Sequence, residues 1–193
     1  MSTSATTVQF HQRSDGTQAE YEMLHGLERQ YIAALPDRIL DGLRAIDDGI
    51  GGYQITRLQH SLQSATRAQR DGADIEWIVA ALVHDIGDAL APENHSQLAA
   101  SILRPYVRAE VTWVVNMHGL FQQYYYGHHL GLDRNARDAH REHEWFDSCA
   151  AFCDRWDQVA FDPAYPTETL EHFEPLVREV FSRTAFDPAT GCE

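Results

Sequence analysis

Apolar positions recur every three to four residues along most of this chain, the period of helices with one face turned inward. Over residues 18–46 the series Tyr21, Leu24, Leu27, Tyr31, Leu35, Ile39, Leu40 and Leu43 predicts a helix broken near Pro36. Asp47-Asp48-Gly49-Ile50-Gly51-Gly52 marks a turn. A second helix is expected over about 54–70, ending at Asp71-Gly72. Asp74 is placed to cap a third, which carries Ile75, Ile78, Val79, Leu82 and Val83 on its apolar side and stops near Gly87. Pro92-Glu93 opens a fourth, through Leu98, Ile102 and Leu103. A mostly apolar fifth spans about 109–117, and residues 119–133 read as an irregular or partly helical connection. Two more helices are expected over about 142–159 and 168–181, separated by a loop holding Pro163 and Pro166. No segment alternates with period two, and there is no internal repeat or heptad run. The expected fold is all-α, a single helical domain of about six to eight helices over residues 18–185. A flexible start (1–17) would precede it and a tail (186–193) would follow.

Composition narrows the class. With 193 residues, 44% hydrophobic and 23% charged, the chain is long and apolar enough for one globular domain. No apolar run reaches the ~18 residues of a membrane span. The first residues lack the basic-then-apolar order of a secretory signal, so a cytoplasmic location is expected. Three cysteines, an odd number, fit a reducing compartment. Cys149 and Cys153, one helical turn apart, read as small apolar residues on one face rather than a metal pair. The net charge is −14, and all 15 basic residues are arginine. That field repels phosphate backbones and argues against a nucleic-acid partner, and the lack of lysine excludes a Schiff base.

Eleven histidines are the unusual feature. Five chemistry-bearing points fall within or at the ends of different predicted helices: His60, the pair His84-Asp85, His95, His118 and Asp157. Imidazole nitrogens and carboxylate oxygens suit iron, manganese or zinc, and the lack of thiolates argues against an iron–sulfur site. Four histidines and two carboxylates suffice for two metals with open positions, whereas one metal needs only three or four of them. His128, His129, His140 and His143 read as structural or supporting residues.

His60, His84-Asp85 and Asp157 match the H…HD…D signature of the HD-domain superfamily, and His95 and His118 supply the extra ligands of its dinuclear members. The stretches Leu58-Gln59-His60-Ser61-Leu62-Gln63, Gln69-Arg70-Asp71-Gly72-Ala73-Asp74 and Ala80-Ala81-Leu82-Val83-His84-Asp85-Ile86-Gly87 resemble the mixed-valent diiron oxygenases of that superfamily. Among these are the phosphonate-cleaving enzymes and myo-inositol oxygenase. The resemblance implies a first iron held by His60, His84, Asp85 and Asp157, Asp85 as the bridge, and His95 and His118 on the second iron. It also implies an Fe(II)/Fe(III) pair as cofactor, O2 as co-substrate, and no catalytic side chain beyond the metal ligands. The substrate would be a small hydroxylated molecule, made by an upstream hydroxylase and cleaved at its C–P or C–C bond. A 1-hydroxy-aminoalkylphosphonate or a quaternary-ammonium alcohol would fit.

The chain departs from that pattern where the substrate would bind. The phosphonate-cleaving enzymes have histidine, and the inositol enzyme lysine, where this chain has Asp88; a lysine after the last histidine ligand is replaced by Gln122. Anion recognition then falls to arginine, with Arg134, Arg137, Arg141 and Arg155 as candidates. Tyr53 falls where some members place a gating glutamate, and Tyr126 ends the aromatic run Tyr124-Tyr125-Tyr126, which could cage an ammonium or pack in the core. The expected substrate contacts are therefore Asp88, Tyr53, Gln122, Arg155, Arg137 and Tyr126. Two other readings stand beside the oxygenase: an HD phosphohydrolase acting on a nucleotide or phosphoester, and a metal-free interaction module.

Overall fold

The computed structural model describes residues 7–192. Among them are eight α-helices and no strand: α1 (Gln18–Ala33), α2 (Leu35–Ala45), α3 (Arg57–Arg70), α4 (Ile75–Val83), α5 (His95–Leu103), α6 (Ala109–Tyr126), α7 (Phe146–Phe152) and α8 (Leu170–Phe181). The all-α architecture follows the hydrophobic pattern. The break expected near Pro36 falls at Ala34, and Pro36 lies in the first turn of α2, where its missing N–H is no loss. Asp74 accepts from the backbone N–H groups of Glu76 and Trp77 and caps α4 as its position suggested. Thr56 and Gln59 form a reciprocal capping box at the start of α3, a feature worth about 1 kcal/mol.

α4 is the centre of the bundle. Val79 through Val83 have no exposed surface, because α3, α8 and α6 pack around the helix. The facing side of α3 presents Ser61, Ser64, Ala65 and Ala68, all buried and small, which lets its backbone come close to α4. Leu40 and Leu43 of α2, Val114 and Phe121 of α6, and Phe173 and Val177 of α8 complete the core. By contrast, α1 has no buried residue, and Tyr31 and Ile32 are exposed on it.

Two expectations about secondary structure are corrected. Helix α6 does not stop near Met117 but continues to Tyr126. Gly119, in its middle, is there for close packing: a Cβ would lie 2.8 Å from Ser96 Oγ on α5. The helix expected over 142–159 is regular only in α7. It then widens into a π-helical turn, Cys153–Asp157, closed by the Gln158 N–H on the Cys153 carbonyl at 2.9 Å.

At the ends of the chain, residues 1–6 of the expected flexible start lie outside the described residues. Beyond them, Arg13–Asp15 forms a short 3-10 turn and Phe10 stacks on Tyr21 with ring centroids 5.6 Å apart. In the tail, Phe186 N–H donates to the Pro105 carbonyl at 2.7 Å, and the Gly191 carbonyl accepts from Ala109 N–H at 3.0 Å. Among the described residues no helix is long and apolar enough to cross a membrane.

Candidate metal centre

The histidines and carboxylates singled out in the sequence converge at one end of α4. His60 comes from the first turns of α3, and His84 and Asp85 follow directly on α4. His95 is the first residue of α5, His118 lies in the middle of α6, and Asp157 ends the π-helical turn. Gly87 makes the convergence possible. A Cβ there would sit 2.7 Å from the His95 carbonyl oxygen, so only glycine lets the α5 segment approach Asp85 this closely.

Main-chain carbonyls set the ring orientation of all four histidines. Nδ1 of His60 donates to Ala160 at 2.9 Å, of His84 to Ala81 at 2.8 Å, of His95 to Pro92 at 3.0 Å and of His118 to Val115 at 2.6 Å. A carbonyl only accepts, so each Nδ1 carries the proton and each neutral ring offers its Nε2 lone pair. These lone pairs point at one another and at carboxylates. His60 Nε2 is 3.1 Å from His84 Nε2 and 3.2 Å from Asp157 Oδ1. Asp85 divides its two oxygens: Oδ2 lies 3.5 Å from His60 Nε2 and 3.6 Å from His84 Nε2, whereas Oδ1 lies 3.5 Å from His95 Nε2 and 3.3 Å from His118 Nε2.

Such a cluster of buried acceptors needs positive charge. All of these groups except His95 are buried, and Asp157 Oδ2 has no hydrogen-bond partner among the described residues. Burial alone would push His84 down, but Asp85 and Asp157 push it up to about 9. Burial opposes the ionisation of the two carboxylates, yet the imidazoles around them hold both below the usual range. Protons supply the charge when nothing else does. A divalent or trivalent cation would supply it better, because every Nε2 and the orphaned Asp157 oxygen could bind at once. The spacings fit too: metal–ligand bonds of about 2.1 Å set neighbouring donors roughly 3.0–3.4 Å apart. The donor groups fall into overlapping sets, His60, His84 and Asp157 on one side and His84, Asp85 and His118 in the middle, with Asp85, Asp88 and His95 on the other.

A cavity of about 310 Å³ opens onto the cluster, bordered by Tyr53, Arg57, Gly119, Gln122, Tyr125, Tyr126, Gln158 and Phe161. Its size suits a small molecule. Three of the six expected substrate contacts line it: Tyr53, Gln122 and Tyr126. Tyr53 stacks on Phe161, which stacks on His60. Gln122 also donates to Asp157 Oδ1, so it braces a ligand as well as facing the cavity.

The other three expected contacts are placed elsewhere. Arg155 faces away, paired with Asp71 at 2.8 Å. It stands two residues before Asp157, and such a spacing puts two side chains on different sides of a helical turn. Arg137 lies flat on Tyr124, with Cζ 3.7 Å from the ring centroid, outside the cavity lining. Asp88 stands behind the cavity wall, with Oδ2 3.0 Å from Arg57 Nε and Oδ1 3.3 Å from His95 Nδ1. Burial and the neighbouring Asp85 raise its pKa, against the pull of Arg57 and His95. Of the tyrosine run, none is fully buried; Tyr125 donates to Asp154 at 3.2 Å and Tyr124 carries Arg134 and Arg137.

Arg57 was the cavity residue missed in the sequence. Its signal was there: it precedes His60 by three positions at a helix start, which puts both on one face. Phe161 gave no such signal, since its place at the cavity depends on how distant elements pack.

A family model described as HD domain matches residues 57–162. The [1-hydroxy-2-(trimethylamino)ethyl]phosphonate dioxygenase (glycine-betaine-forming) of Leisingera caerulea is 30% identical over 89 residues, which cover 40% of this chain and 45% of that relative. The chain thus matches less than half the length of this curated relative.

Proposed function

The chain belongs to the HD domain family, and from that premise we propose that it is a diiron oxygenase acting on a small hydroxylated substrate. The observation that carries the reading is the division of Asp85, one oxygen toward His60 and His84 and the other toward His95 and His118. A single-metal site has no use for that arrangement, and a carboxylate shared between two metals requires it. The similarity to a phosphonate dioxygenase supports redox chemistry over hydrolysis.

An Fe(II)/Fe(III) pair would supply the redox capacity to activate O2 and oxidise a carbinol carbon, which none of these side chains possesses. The residues do the rest. His60, His84 and Asp157 would hold one iron, His95 and His118 the other, with Asp85 between them. The carbonyls behind the imidazoles keep every Nε2 aimed inward, so no reorganisation is needed on loading. Phe161 and Tyr53 cover the His60 side and limit water there. The substrate hydroxyl would enter past Tyr126 and Gln122, and cleavage of its C–P or C–C bond would follow oxidation.

Iron analysis and low-temperature EPR of partly reduced, anaerobic protein test this, together with oxygen uptake on 1-hydroxyphosphonates and ammonium alcohols. About two irons per chain and a coupled S = 1/2 signal that changes with substrate are expected. Manganese or zinc, with phosphoester hydrolysis and no oxygen uptake, would replace the oxygenase with the phosphohydrolase.

A further inference from the structure

Among the described residues Arg57 is the one lysine or arginine side chain that borders the cavity. It leaves the first turn of α3 with only 20% of its side chain exposed. Nε lies 3.0 Å from Asp88 Oδ2 without an aligned hydrogen bond, and Nη1 donates to Asp85 Oδ2 at 3.5 Å, while Nη2 has no partner among the described residues. The guanidinium carbon lies 5.2 Å from the centre of the Tyr53 ring. Asp88 lies within ion-pair distance of Arg57 and His95 and is not among the residues that border the cavity. A molecule in the cavity therefore meets the guanidinium, not the carboxylate behind it.

We propose that Arg57 is the anion subsite of this cavity, receiving a phosphonate or carboxylate group, with Asp88 as a counter-ion that competes for its charge. This rests on the cavity being the substrate site. The chain carries a net charge of −14, so an anion approaches against the overall field and needs a local cation to be held. A planar guanidinium, paired through Nε and Nη1 and open at Nη2, suits a tetrahedral or planar oxyanion. The position also restricts the substrate. Arg57 is within ion-pair reach of Asp85, and Asp85 lies among the metal donors. So short a separation favours a substrate whose anionic group and hydroxyl sit on the same carbon. The class selected is the 1-hydroxyphosphonates and 2-hydroxycarboxylates, not alcohols whose anion lies several carbons away. This answers the difficulty posed by an aspartate at position 88: its charge is spent on Arg57.

The test is calorimetric titration of iron-loaded, anaerobic protein with hydroxymethylphosphonate and with 3-hydroxypropylphosphonate, alongside iron content for each variant. The native protein should prefer the first. Arg57→Met should bind it at least ~10-fold more weakly at unchanged iron content, and Arg57→Lys should recover part of the loss. Asp88→Asn should tighten binding several-fold, because a competing charge is removed. If Arg57→Met does not fold, Arg57→Lys and Asp88→Asn decide. Binding within about twofold of native in Arg57→Met, weaker binding in Asp88→Asn, or equal affinity for the two phosphonates overturns the proposal. So does loss of iron in both Arg57 variants, which would make Arg57 a support for Asp85 alone. No turnover is involved, so Arg57-dependent binding without oxygen uptake would reject the oxygenase and leave the subsite standing.

Discussion

The two ends of the histidine–carboxylate cluster are built differently. At the inner end His60, His84 and Asp157 are wholly buried, and they come from α3, the end of α4 and the π-helical turn. They are part of the core as much as of the site. At the outer end His95 has a quarter of its side chain exposed, begins a helix after a short 3-10 turn, and has Asp88 and Arg57 for neighbours. Changing a donor at the inner end is expected to disturb the fold more than changing one at the outer end, because the inner donors are buried in the core. Of the two departures from the resembling families, Asp88 lies at the outer end beside His95 and Gln122 at the inner end on Asp157.

Substitutions should separate the two ends. The largest effect is expected from Asp85→Asn, which removes charge from both: metal affinity at both positions should fall by more than about 100-fold, beyond the range typical of supporting residues, as read by metal content after desalting. His60→Ala should follow. It strips a partner from buried Asp157 and should cost the metal-free protein about 3–5 kcal/mol in addition to one metal. His95→Ala should lose one metal with little change in the melting temperature of the metal-free protein. Equal melting losses for the two alanine variants would erase the distinction between the ends.

A pH titration sharpens it further. With metal removed, His84 stands at about 9 in the folded protein against about 6.5 when unfolded. Its contribution is fully present below pH ~6.5 and is lost as pH rises toward 9, on the order of 3 kcal/mol for a shift of this size. Asp85 and Asp157 are held low, so their contribution is present above their unfolded value near 4 and is lost in acid. Denaturant melts should therefore show the metal-free protein most stable in mildly acidic buffer, and metal should remove the alkaline decline. The smallest effect is expected from Arg137→Ala, which loses a stacking contact on Tyr124 worth about 1 kcal/mol or less and leaves metal content untouched.

The histidine–carboxylate cluster was legible because its members stand within or at the ends of helices whose apolar residues fix the phase. Helix boundaries were less so. Gly119 reads as a helix breaker in one dimension and is a packing contact with Ser96 in three. The wall of the cavity was the least legible part. Arg155 was expected near the site because it is close in sequence to Asp157, but the turn carries it to Asp71 on the other side. There it works with Trp156, whose indole N–H donates to the same Asp71 oxygen at 2.7 Å, to pin the π-helical turn that presents Asp157. Arg57 was passed over although its spacing from His60 pointed inward.

The carbonyls that orient the imidazoles also bear on the order in which the site is assembled. For His84, His95 and His118 the accepting carbonyl lies three residues earlier in the chain, so each ring is oriented as soon as its own helical turn forms. His60 is the exception, since its carbonyl at Ala160 is 100 residues away. A growing chain would thus complete the Asp85, His95 and His118 side first. The His60 position, closed by the contact most distant in sequence, would be the last part of the cluster to form.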